Sequence, residues 1–251
     1  LKVIPKDKNS KIDVTFICPG SQDELIESLY KIEKEIADKV FKYKSIMFDS
    51  MSYWMNLVLL STMEDETFEA EIFKPRRHLV DTVRADEAVY GGLASHMNRI
   101  CKVLKLITQR EITVVGLSQG MEDPKYNRDL AVAPNFIGKK FGRDLKSHFD
   151  LIGLVSTRTN DNGDIVYPPN VDFRCADGSF MAKYTGKPIK SPRGILDFKK
   201  FIPKNKGRFV LIYSAEAGEG KSTSCLQSLP QPILDIYVED RNPNTSLEAL
   251  S

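Results

Sequence analysis

The chain has 251 residues, 41% of them hydrophobic and 28% charged, a balance that excludes a disordered or fibrous protein and suffices for one α/β domain with a full core, although length alone also allows two small domains. A formal charge of +2 excludes an overall electrostatic footprint for nucleic acid, so any such surface must be a local patch. Cys18, Cys101, Cys175 and Cys225, like His78, His96 and His148, are scattered without metal-ligand spacing, which points to free thiols in a reducing compartment and away from a zinc site. No run is long and apolar enough to span a membrane and no N-terminal signal peptide is visible, so a cytoplasmic protein without a membrane partner is expected. The first residue is Leu1 instead of Met, which suggests a removed or rearranged start.

Strands and helices alternate along the chain, the pattern of a mostly parallel sheet with helices on both faces. Residues 12–18 read as a strand, and Ser21 with Glu24 as a capping box. In the helix that follows, Leu25, Leu29, Ile32, Ile36 and Val40 recur on one face. An apolar strand, 45–50, ends at Asp49, a helix is predicted over 51–61, and the acidic stretch 63–71 reads as an exposed connection. A second amphipathic helix, 91–107, carries Leu93, Met97, Ile100, Leu104 and Ile107 on one face and leads to a strand over 112–117. Residues 134–147 form a basic loop and helix before a strand at 151–155. The run Asp161, Asn162, Gly163, Asp164 is a turn signal flanked by segments able to pair as a hairpin extension, including 180–184. Residues 191–206, rich in Pro, Gly and Lys, read as a connector.

The most informative segment follows the apolar strand 208–213. Ala215, Glu216, Ala217, Gly218, Glu219, Gly220, Lys221, Ser222 and Thr223 form a phosphate-binding loop that opens a helix. Its glycines let backbone N–H groups turn toward phosphate oxygens, and the helix N-terminus adds a favourable dipole. Lys221 would reach the β- and γ-phosphates, and Ser222 would hold Mg2+. Ala215 stands where the pattern usually has its first glycine. A Gly-rich turn before a surface helix is the plainer alternative. Such a loop normally opens its domain and the carboxylate strand follows it; here the strand ending at Asp49 precedes it, so the order is permuted.

Together with 91–107, the segments 46–50, 113–119, 209–229 and 232–239 resemble a RecA-like ATPase, of the small type that many phages carry as a recombination ATPase. The resemblance covers most of the chain once it is cut between about Lys190 and Ser191 and its ends are joined, with 246–251 running into 1–4. It implies an α/β, RecA-like P-loop NTPase core, circularly permuted within a single domain over 1–251: a carboxylate-strand half with hairpin (1–190), a connector (191–206) and a phosphate-loop half (207–251). It also implies ATP and Mg2+ as cofactors, with Asp49 as the magnesium-associated carboxylate and Glu239, or its neighbour Asp240, activating the attacking water. Gln119 would close the strand beside the carboxylate strand and sense the γ-phosphate. Each acid could instead be a helix cap or a solvated charge.

The resemblance further implies a homo-oligomeric ring or filament in which a basic residue reaches a neighbour's γ-phosphate. Lys183 is the first candidate and Arg143 the second, against the alternative of solvated surface charges. The basic run from Lys139 to Lys146 could contact DNA phosphates, and Phe136 and Phe141 within it either stack on bases or belong to the core. The expected function is ATP hydrolysis coupled to single-stranded DNA in recombination or repair, in the host cytoplasm if phage-encoded. A nucleotide-dependent assembly or regulatory module is the alternative; a small-molecule P-loop kinase fits less well, because no arginine-rich lid segment is visible. The inverted order itself has three explanations: natural permutation, permutation by design, or the end of one ATPase domain joined to the start of another.

Overall fold

The computed structural model describes residues 2–4, 12–64, 87–124, 127, 129–184, 193–201, 207–215 and 219–238. The sheet contains eleven strands among these residues. Its centre is six parallel strands in the spatial order β2 (Val14–Cys18), β11 (Ile233–Tyr237), β3 (Ser45–Asp49), β4 (Thr113–Glu122), β10 (Phe209–Ser214) and β6 (Leu151–Ser156). Short antiparallel strands extend it: β1 (Lys2–Ile4) pairs with β2, β5 (Val132–Pro134) with β4, β7 (Asn170–Asp172) and β8 (Lys183–Tyr184) with β6, and β9 (Arg193–Ile195) with β7.

Every residue of β3, β10 and β11 is buried, because both sheet faces are covered. The two-residue strand period divides them. Ile46, Phe48, Val114, Leu211, Tyr213, Leu234 and Ile236 pack on one face with residues of α1 (Gln22–Ala37), α2 (Met51–Glu64), α3 (Glu87–Thr108) and α4 (Lys139–His148). Met47, Val115, Leu117, Val210, Ile212 and Ile233 pack on the other with α6 (Lys221–Ser228) and with Phe198 of α5 (Phe198–Phe201). A parallel sheet of this kind requires crossovers, and the apolar stripes of the helices supply the burial that holds them in place. At Gly116 a Cβ would come within 2.1 Å of Met51 Sδ, so the absent side chain lets the start of α2 lie directly on β4.

Ser21 accepts from the Glu24 N–H at 3.2 Å, as the capping box predicts, but the Glu24 carboxylate returns to the Gly20 N–H at 2.8 Å. In α1, Leu25, Leu29 and Ile32 are buried, whereas the helix ends at Ala37 and Val40 is exposed. The helix predicted over 91–107 begins one turn earlier, and its five apolar positions are all buried. The strand predicted over 112–117 runs on to Glu122 because β5 pairs with its far end, so Gln119 lies inside the strand instead of closing it. The expected connector 191–206 contains β9 and α5, anchored by buried Leu196 and Phe198. Met63 and Glu64 continue α2, and the rest of the acidic stretch, 65–71, lies outside the described residues, as do His78, the 190/191 junction and 239–251. No helix among the described residues is long and apolar enough to cross a membrane.

Candidate functional site

Because the six central strands are parallel, their C-terminal ends share one edge, and four of the polar residues predicted to carry chemistry, Asp49, Gln119, Lys221 and Ser222, gather there. Strand β10 ends at Ser214, and the chain re-enters helical structure at Lys221 through a loop whose last residue, Gly220, adopts a left-handed conformation (φ 76°). That conformation favours glycine, and it aims the first turn of α6 back at the sheet edge. No side chain of the N-cap residue Gly220 caps this helix end, and its first turn and dipole face the loop. Glu216, Ala217 and Gly218, the middle of the loop, lie outside the described residues.

Two contacts tie α6 to the strands. The Lys221 amine donates to Ser214 Oγ at the end of its own strand. The Ser222 hydroxyl donates to Asp49 Oδ2 at 2.6 Å, joining residues that lie 173 positions apart in the sequence. Asp49 is 3% exposed at the end of β3, and its carbonyl accepts from the Val238 N–H at 2.8 Å, which holds the end of β11 against it. Glu239 and Asp240, the predicted water-activating acids, follow directly and lie outside the described residues. Cys225, one turn into α6, has its thiol pKa raised well above the ordinary value, first by burial and then by the Asp49 charge, so it remains protonated.

Gln119 stands at the same edge, exposed, its backbone paired with Ser214. The backbone around it is fixed from both sides: its N–H donates to Ser52 Oγ at 3.3 Å and its carbonyl accepts from the Asn135 N–H at 2.7 Å. Ser118 and Ser52 hydroxyls lie 2.7 Å apart, linking β4 to the first turn of α2 directly after Asp49. Gly120 is required by close approach: a Cβ there would meet Ser214 O at 2.7 Å and Ala215 Cα at 3.0 Å. The predicted site residues Asp49, Gln119, Lys221 and Ser222 thus share one edge, while Ser52, Ser118, Ser214 and Gly120 are supporting residues that no sequence motif marked.

Lys183 is elsewhere. It pairs opposite Ile152 near the start of β6, and its amine donates to the carbonyls of Lys146 and, at 2.7 Å, Phe149 at the end of α4. The structure gives it the task of capping a helix C-terminus, an arrangement favoured by the helix dipole. Burial, followed by neighbouring Lys105, lowers its pKa. Arg143 is exposed on α4 beside Lys139, Lys140 and Lys146, so that helix presents a basic outer face. Phe136 and Phe141 are 3% and 0% exposed and pack edge to face at 5.3 Å, so they belong to the core and do not offer a face to bases.

The donor set at the edge suits a hard divalent cation. Ser222 and Asp49 offer adjacent oxygens, and an ion such as Mg2+ keeps several waters and takes one or two protein ligands beside substrate phosphates. No group of three or more His, Cys, Asp or Glu side chains able to hold a metal occurs among the described residues. No family model, no curated protein and no solved structure matches the chain.

Proposed function

We propose that this chain is a RecA-like, circularly permuted P-loop ATPase that binds Mg-ATP, hydrolyses the β–γ bond and couples turnover to single-stranded DNA within a homo-oligomer. The observation that carries this reading is the Ser222 to Asp49 hydrogen bond, with the Lys221 amine one residue away at the mouth of the same helix. A lysine, a hydroxyl and a buried carboxylate converging beyond the ends of parallel strands are the groups that Mg-nucleotide binding needs. Lys221 would neutralise the β- and γ-phosphates, and backbone N–H groups of 219–223 would cradle their oxygens. Ser222 and Asp49 would hold Mg2+, which when bound offsets charge on the same phosphates. Gln119, pinned through its backbone between Ser52 and Asn135, would face the γ-phosphate, and Glu239 would accept the proton of the attacking water.

The permuted order is supported by the way the sheet is assembled. The β10–α6–β11 unit comes last in sequence, yet β10 lies between β4 and β6, and β11 between β2 and β3. That arrangement favours one domain over two partial ones. Lys2 pairs with Cys18 while Ile17 pairs with Ile236, so β1 begins at the sheet edge where β11 ends, about 10 Å away by two strand spacings. A chain running from β11 into β1 would have to cross only β2.

The DNA reading rests on the exposed basic face of α4, with Lys139, Lys140 and Arg143 available to phosphates. Steady-state ATP hydrolysis with and without single-stranded DNA, with Lys221→Ala as the blank, tests the whole reading. DNA-stimulated turnover that falls steeply with salt is the expected result. Turnover indifferent to DNA and rising with protein concentration would favour an assembly module, and no turnover above the blank would sink the ATPase assignment.

A further inference from the structure

We propose that Tyr167 is an aromatic platform on which the base of a nucleoside triphosphate stacks, chosen for its flat face and not for one base identity; this rests on the nucleotide reading above. Residues 157–169 leave β6 at the C-terminal edge, next to β10, and fold into a small arm. The Val166 N–H donates to the Arg158 carbonyl at 2.8 Å, and Thr159 bridges to Ile165. The Asn160 side chain closes the tip by accepting from the N–H groups of Asn162 at 3.0 Å and Asp164 at 2.9 Å.

This arm is fastened to the loop beneath it. The Thr157 hydroxyl donates to Glu219 Oε1 at 3.2 Å, and Arg158 Nη2 donates to the Tyr167 carbonyl at 3.1 Å, which fixes the backbone that carries the ring. The ring itself lies on Gly220: a Cβ there would come 2.3 Å from Tyr167 Cε1 and 2.7 Å from Cδ1. Yet Tyr167 stays 52% exposed. Tyr213, by contrast, is fully buried, its hydroxyl donating to the Met181 carbonyl at 2.7 Å. A half-exposed ring resting on the residue before Lys221 borders the helix end at which the proposed nucleotide would sit, and that placement is the ground for assigning it the base.

Stacking is tolerant of base identity because every base has a π-face, so the platform adds affinity without choosing among bases. The test is calorimetric binding of Mg-ATP, Mg-GTP and inorganic tripolyphosphate, which has no base, to the wild-type chain and to Tyr167→Ala, Tyr167→Phe and Lys221→Ala. Tyr167→Ala should weaken both nucleotides about 5- to 150-fold, the range that loss of one base–aromatic stack gives, and leave tripolyphosphate unchanged. Unchanged tripolyphosphate also reports that the loop is still folded, and Tyr167→Phe should match the wild type. Equal weakening of all three ligands would make Tyr167 a support for the loop, equal tightening would make it a cover, and no change would make it idle. Each of these overturns the platform while leaving the nucleotide reading standing. Binding of no ligand by the wild type, or binding indifferent to Lys221→Ala, overturns the nucleotide reading and the platform with it.

Discussion

The two edges of the central sheet are built from the same strands and differ in how their polar groups are matched. At the N-terminal edge three side chains bond backbone, beside the His148–Asn98 pair. Asp150 Oδ2 accepts from the Phe209 N–H at 3.0 Å, Ser45 Oγ donates to the Pro230 carbonyl at 2.7 Å, and Lys183 caps the last carbonyls of α4. At the C-terminal edge side chains also meet side chains: Ser222 with Asp49, Lys221 with Ser214, Thr157 with Glu219, and Ser52 with Ser118, the last two bonding the Gln119 backbone as well. One oxygen of Glu219 is buried without a hydrogen-bond partner among the described residues. Side chains that bond each other can exchange that partner for a ligand, whereas side chains that saturate backbone groups are committed to the fold. The difference is one ground for proposing that the C-terminal edge binds while the N-terminal edge holds the fold.

The sharpest way to break this comparison is a substitution at the holding edge. A Cβ at Gly207 would lie 2.2 Å from the Thr108 carbonyl and 2.4 Å from that of Ile112, and neither backbone can retreat easily. Gly207→Ala should cost about 1–3 kcal/mol of stability, read as a lowered urea midpoint, with nucleotide affinity of the folded fraction unchanged. An affinity loss at constant stability would show that the edges are not separable.

Lys183→Ala should have a similar or smaller effect, about 1–3 kcal/mol at most, because two carbonyls at the end of α4 lose a charged donor that is itself only partly buried. Turnover at saturating ATP should hold. If turnover collapses while the thermal midpoint stays put, Lys183 acts across a subunit boundary instead.

The smallest effect is a pH dependence at the same edge. His148 stacks on Phe141, places Nε2 2.7 Å from Asn98 Oδ1, and has its pKa lowered from 6.5, first by burial. Asp144 opposes that shift, while Lys105, Lys102 and Lys183 reinforce it. A base held neutral in the fold binds its proton more readily when unfolded, so stability should fall as pH drops below about 6.5. Urea midpoints at pH 7.5 and 5.5 should differ more for the wild type than for His148→Gln; an equal difference would remove His148 as the cause.

Much of the fold was legible because apolar runs and helical stripes depend on burial alone. The wholly buried strand ending in Asp49, the strand before the glycine loop and the five apolar positions of α3 all lie where the apolar pattern puts them. Of the outer strands, β8 falls within the segment 180–184 expected to pair, but β9 was not legible: it is three residues long and held by pairing with β7, a tertiary contact that local composition in 191–206 does not announce. Gln119 was placed at a strand end because the apolar run stops there, but β5 supplies pairing partners beyond it. At the site, Lys221, Ser222 and Asp49 were legible because their chemistry restricts residue type and spacing. Ser52, Ser118 and Gly120 were not, since a hydroxyl bridge or a tight backbone approach leaves no pattern in sequence. Tyr167, beside Pro168 and Pro169, reads as turn chemistry, and only the folded chain brings its ring to Gly220.

The most direct test of the central claim is a calorimetric titration of Mg-ATP into the wild-type chain and into Lys221→Ala at matched thermal stability. The account predicts saturable binding by the wild type and a loss of at least about 30-fold in the variant, as expected when one partner of a charged hydrogen-bonded pair is removed. Equal affinities, or binding by neither protein, would contradict a nucleotide site at this edge of the sheet.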